Sequence, residues 1–112
     1  MKNMTPRQNK VANEVQHIAA MALVQGRIPS TLPLSRITII DTWISADLRL
    51  ARFYIQTPNE LNTEEFFREL NAQLAKPMRK HIASNLATKY VPDVQFFRAE
   101  DERSYPTAQP KA

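Results

Sequence analysis

Lys76, Arg79 and Lys80 follow one another at i, i+3 and i+4, about opposite an apolar row of Met78, Ile82 and Leu86. A helix with this pattern turns its cations outward. The chemistry open to them is neutralisation of phosphates, each contact releasing condensed counterions, rather than sequence-specific reading of bases. Lys89 belongs to the same basic block, and Arg7, Lys10, Arg27 and Arg36 make a second one near the start of the chain. The 112 residues include 15 Lys or Arg and 11 Asp or Glu, a net charge of +4. Residues 1–36 carry +4 and residues 77–98 carry +3, while residues 37–76 carry −2 and residues 99–112 carry −1. An excess gathered into two blocks suits a polyanionic partner better than an even scatter of the same charge.

Other chemistries fare poorly. Without cysteine there is no disulfide scaffold, thiolate zinc site, iron–sulfur cluster or cysteine nucleophile. The only glycine, Gly26, excludes the glycine-rich loops that cradle dinucleotides and nucleoside phosphates, and a GxxG clamp as well. His17 and His81, with Glu14 and Asp93 as conceivable partners, show no metal-ligand spacing, so neither a metal nor another cofactor is expected. The longest apolar stretch, residues 18–24, is far too short to span a bilayer, and residues 1–6 lack a secretory core, so the expected location is the cytoplasm.

The cations need elements to position them. Val11, Val15, Ile18 and Ala22 line one face of a helix over residues 6–25 that Gly26 stops, leaving Lys10, Asn13 and His17 on the far side. Residues 37–44 and 48–56 read as two strands of a hairpin around Ser45-Ala46-Asp47. An even loop sets Ile44 opposite Arg49, with Ile40/Phe53 and Thr42/Ala51 on one face and Asp41/Arg52 and Trp43/Leu50 on the other. Asn62 or Thr63 caps a second helix that runs to about Ala75 and bends at Lys76, with a third helix starting at Pro77. A short strand over residues 94–97 follows. Residues 6–98 then form one α+β domain, with helices on one face of a three-stranded sheet, between disordered ends at 1–5 and 99–112. The open face of that sheet, bearing Trp43, Leu50, Arg52 and Tyr54, could stack a base or lie under a tail or loop.

Four segments carry a resemblance to the ribosome-binding factor A family. They are Arg7-x-x-Lys10-Val11-Ala12-x-Glu14-Val15 with Ile18-Ala19; Ile44-Ser45-Ala46-Asp47-Leu48-x-x-Ala51-x-Phe53-Tyr54-Ile55; Leu74-x-x-Pro77-Met78-Arg79-x-x-Ile82-x-x-x-Leu86; and Tyr90-Val91-Pro92-Asp93-Val94-x-Phe96. Their order and spacing span residues 7–97. The resemblance implies a type II KH-like fold, ordered α-β-β-α-kink-α-β, in which Leu74-Ala75-Lys76-Pro77 stands where the family has an Ala-x-Gly kink. It implies a non-enzymatic assembly factor that binds free small (30S) ribosomal subunits or their precursors, acts late in 16S rRNA maturation and supports growth in the cold. Its partners would be that subunit and its rRNA, with a GTPase promoting release; it would be a monomer with no membrane or DNA partner. On this view Arg7, Lys10, Arg27, Arg36, Lys76, Arg79, Lys80 and Lys89 contact rRNA. The competing reading is a protein-interaction domain that uses the open sheet face.

Overall fold

Thr5 caps the first helix. Its hydroxyl accepts from the Gln8 amide at 3.1 Å, and the Gln8 side chain accepts from the Thr5 amide at 2.9 Å, a reciprocal box that satisfies two otherwise unpaired donors. The computed structural model describes residues 4–86 and 91–99. Helix α1 spans Pro6–Gln25 and ends at Gly26, whose φ of 64° is the left-handed conformation that glycine adopts without strain. Its buried face is Val11, Ala12, Val15, Ala19, Ala22 and Leu23, with Ile18 only partly covered. Met4, just ahead of the helix, also packs against the core. Of the tail expected over 99–112, Ala99 alone lies within the described residues.

Strands β1 (Thr38–Ile44) and β2 (Leu50–Gln56) pair antiparallel, and β3 (Asp93–Arg98) lies parallel to β2 on its other side. Ser45 organises the hairpin. Its oxygen accepts from the Arg49 and Leu50 amides, and its hydroxyl donates to Asp47 at 2.7 Å. That hydroxyl, followed by the Arg49 amide, holds the Asp47 carboxyl below its usual range. Leu48 takes a φ of 62° with its side chain buried.

The hairpin register differs from the expected one by two residues. Ile44 pairs with Ala51, Thr42 with Phe53, Trp43 with Arg52 and Asp41 with Tyr54. A slip of two preserves which face each side chain takes, so Thr42, Ala51 and Phe53 still point to the helices. Ile40 does not: a bulge between Ile39 and Asp41 turns it out to solvent and puts Ile39 into the core instead.

Helix α2 spans Glu64–Asn85 as one element, with Thr63 accepting from the Phe66 amide at its start. The expected division into two helices at Lys76 is therefore replaced by a single helix that contains Pro77. Proline removes one rung of the helical ladder, but Leu70, Leu74, Met78 and Ile82 are fully buried at successive i+4 positions on both sides of it. That continuous apolar stripe holds the helix together across the missing bond. The helices cover one face of the sheet, and Phe53 stacks on Phe96 between them, ring centres 5.6 Å apart.

Two side chains tie helices to the edges of the sheet. Asn71 of α2 accepts from the Phe96 amide at 2.8 Å and donates to the Phe96 carbonyl at 2.9 Å, both on the side of β3 turned away from β2. On β1, the Ile44 carbonyl accepts from buried Gln8 at 2.8 Å while the Ile44 amide meets the Met4 sulfur at 3.4 Å. Replacing Asn71 by Leu strands two backbone groups and is expected to cost about 2–4 kcal/mol. Thermal unfolding of Asn71→Leu checks this, and an unchanged midpoint would refute it.

Candidate nucleic-acid interface

Residues three and four apart on a helix are neighbours, yet Arg79 and Lys80, adjacent in sequence, point about 100° apart. The structure sends them to different flanks of α2. Arg79 leans toward β3: its Nε lies 3.1 Å from the Asp93 carboxylate, and its Nη2 donates to the Val91 carbonyl at 3.3 Å. Two of the sequence segments singled out above are joined by this clamp, which fixes the entry of β3 against α2. Its side chain remains 48% exposed, so Arg79 is a surface cation with one partner already in place.

Lys80 lies on the opposite flank, against the loop that follows α1. There Arg27, Ile28 and Pro29 face Pro77, Lys80, His81 and Ser84 across a groove of about 270 Å³. No carboxylate lines it, and the two prolines stiffen its walls. Ser30 and Thr31 both donate to the Gln73 side-chain oxygen at 3.1 Å, which pins the loop to α2 one turn further back. Arg27 is oriented by a 3.0 Å bond from its Nε to Gln25. Lys76 stands exposed one turn before Lys80. Together Arg27, Lys76 and Lys80 present cations that make no ion pair among the described residues, an arrangement that can hold phosphate oxygens.

The remaining expected contacts scatter. Arg7 and Lys10 are exposed in the first turns of α1, and Arg27 lies beyond its other end, a separation of roughly 30 Å for a 20-residue helix. The first basic block is thus divided between two ends of the molecule. Arg36 pairs with Glu60 at 2.7 Å, holding the Glu60 carboxyl below its usual range. Lys89 lies outside the described residues. His81 and Ser84 join the groove without having been singled out as cation partners; their i+1 and i+4 positions from Lys80 were the available signal. Among the described residues no group of three or more His, Asp or Glu could hold a metal, and no helix is long and apolar enough to cross a membrane.

On the open face of the sheet, the Arg52 guanidinium sits 5.4 Å from the Trp43 ring centre and 5.3 Å from that of Phe97. Tyr54 lies beside Phe97, ring centres 5.8 Å apart at 25°, and is fully buried. Phe97 is the member of this face that the sequence pattern does not single out.

Two helices on one side of a sheet ordered β1-β2-β3, with β3 parallel to β2, define an α+β domain of the KH-like class. The sequence profile of the family described as Ribosome-binding factor A matches residues 7–105, and the chain belongs to that family. It is 34% identical over 98 residues to ribosome-binding factor A of Methylobacterium nodulans, covering 86% of this chain and 71% of that protein. The Nitrobacter winogradskyi relative is 32% identical over 91 residues, covering 80% of this chain and 66% of that protein. The chain thus spans about two thirds of the length of these relatives. The crystal structure of ribosome-binding factor A from Thermus thermophilus superposes with a TM-score of 0.68 at 16% identity, covering 88% of this chain and 99% of that one. A Thermus thermophilus ribosome binding factor A fitted into a map of a 30S complex superposes with a TM-score of 0.59 at 13% identity, covering 79% and 90% of the two chains.

Proposed function

We propose that the protein is a cytoplasmic, monomeric assembly factor that binds free small ribosomal subunits or their precursors and assists late 16S rRNA maturation, chiefly through electrostatic contacts. Family membership supports the ribosomal role. The observation that carries the mechanism is the groove where Arg27 and Lys80 converge from two elements with no carboxylate between them. Phosphates of folded rRNA enter there, with Lys76 alongside, and the rigid α2 holds the cations in register with the rRNA backbone. No step requires bond chemistry: the protein holds rRNA in an immature arrangement and leaves when a GTPase or the maturing subunit displaces it. Loss of the protein should then show most in the cold, where misfolded rRNA escapes slowly.

Sedimentation of the purified protein with small subunits at rising salt tests the reading. Three phosphate contacts predict that the logarithm of the association constant falls with that of salt at a slope of roughly −2 to −3. Association that ignores salt, or that follows a single protein instead of the subunit, would refute it.

A further inference from the structure

Arg98 closes β3 on the side that faces the helices, two positions after Phe96. Its guanidinium lies over the Phe67 ring of α2, 5.6 Å from the ring centre. Its Nε is buried and meets no acceptor among the described residues. A buried donor without a partner is costly, more so when charged, and marks a place where an acceptor belongs. The pocket in front of it, about 350 Å³, is walled by α2 and β3, with Glu64, Arg68 and Phe97 also in its lining. Arg68 is exposed about three turns before Arg79, which puts it on the same β3-facing flank of α2. Neither Arg68 nor Arg98 makes an ion pair among the described residues. Asn71, bonded to both the amide and the carbonyl of Phe96, locks strand to helix, so the frame that carries the two arginines is set before anything binds.

We propose that this pocket takes one phosphate of a single-stranded stretch of RNA, with Arg98 and Arg68 gripping its oxygens. Two guanidiniums and the Glu64 carboxylate leave a charge of +1, the complement of a phosphodiester. The planar arginine fork matches phosphate oxygens in pairs. The volume lies at the lower end of the roughly 300–1,000 Å³ of small-ligand clefts, room for one nucleotide and too little for a duplex. Its base or sugar then meets Phe97 and the Arg98–Phe67 stack, since unpaired bases lie on aromatic rings and guanidinium planes. The competing occupant is an acidic peptide, but one added as a strand would need the outer groups of Phe96, which Asn71 holds. The inference rests on the RNA-binding reading while using other cations: Lys80 lies on the opposite flank, roughly 18 Å from Arg68 along the helix. A phosphate held here steepens the salt slope by about 0.7–0.9 beyond that of the three groove cations.

In nitrogen-15-labelled protein the shielded Arg98 Nε–H should give a resolved side-chain signal, and triuridylate should shift it saturably together with the Asn71 side-chain amide. The same shift is expected in the Lys76→Glu, Lys80→Glu double variant. Arg68→Ala should keep the circular dichroism spectrum and weaken the triuridylate effect at Arg98 by about tenfold. Inorganic phosphate that binds as tightly as triuridylate would make this a free-anion site and overturn the proposal. Hexaglutamate that binds as tightly would assign the pocket to an acidic protein and overturn it as well. An Arg98 signal that triuridylate leaves unmoved also overturns it, whereas the ribosomal reading falls only if the chain fails to sediment with small subunits, so the two failures are told apart.

Discussion

Lys76→Glu combined with Lys80→Glu should weaken association with small subunits by about a hundredfold at low salt. Coulomb attraction between unit charges about 6 Å apart in water is about 0.7 kcal/mol, and reversing a cation replaces attraction by equal repulsion, about 1.4 kcal/mol per site. Each such change is about tenfold in affinity. Both side chains are exposed on α2 and neither bonds to a described residue, so circular dichroism and thermal midpoint should hold. The salt slope should also become shallower by about 2. Co-sedimentation across a salt series measures both quantities, and unaltered binding would remove the groove as the rRNA contact. Arg79→Glu is a poorer probe, because it also sets a carboxylate against Asp93 and breaks the bond to the Val91 carbonyl.

Phe53→Asp should leave the chain unfolded at room temperature. Phe53 is fully buried at the centre of the middle strand, in stacking contact with Phe96. Truncating such a ring costs about 3–5 kcal/mol by itself, and a carboxylate in its place either stays charged at a cost of several kcal/mol or takes up a proton. The total approaches or exceeds the roughly 5–15 kcal/mol that holds an ordinary domain together. Loss of the far-ultraviolet helical signal would bear this out. Phe53→Leu keeps an apolar side chain and should stay folded; a native spectrum for Phe53→Asp would mean that Phe53 does not anchor the core.

Much of this architecture is legible because hydrophobic spacing reports directly on which side of an element is buried. The row Val11, Val15 and Ala22 marks the inner face of α1, and alternation along β2 places Phe53 inward even though the expected hairpin pairing is off by two. Where a longer-range force decides, the local pattern misleads. Pro77 argues for a break on backbone grounds, but it competes with four fully buried side chains in line, and packing wins. The bulge at Ile40 leaves no mark in residue type. The cation spacing reads as one stripe, yet Arg79 answers to Asp93 and Arg36 to Glu60, partners 14 and 24 positions away that no helical period reveals. Lys80 finds Arg27 across a loop for the same reason.

Asn71 and Gln8 have an effect that reaches beyond the single molecule. A three-stranded sheet ends in two rims, and a bare rim is a template on which another chain can zip itself in. Here the Phe96 rung is taken at one rim, and the Ile44 rung at the other, by side chains of the protein's own helices. A stray strand would have to evict those side chains before it could pair at either rung. Crowded among nascent polypeptides, such a molecule resists being drawn into aggregates.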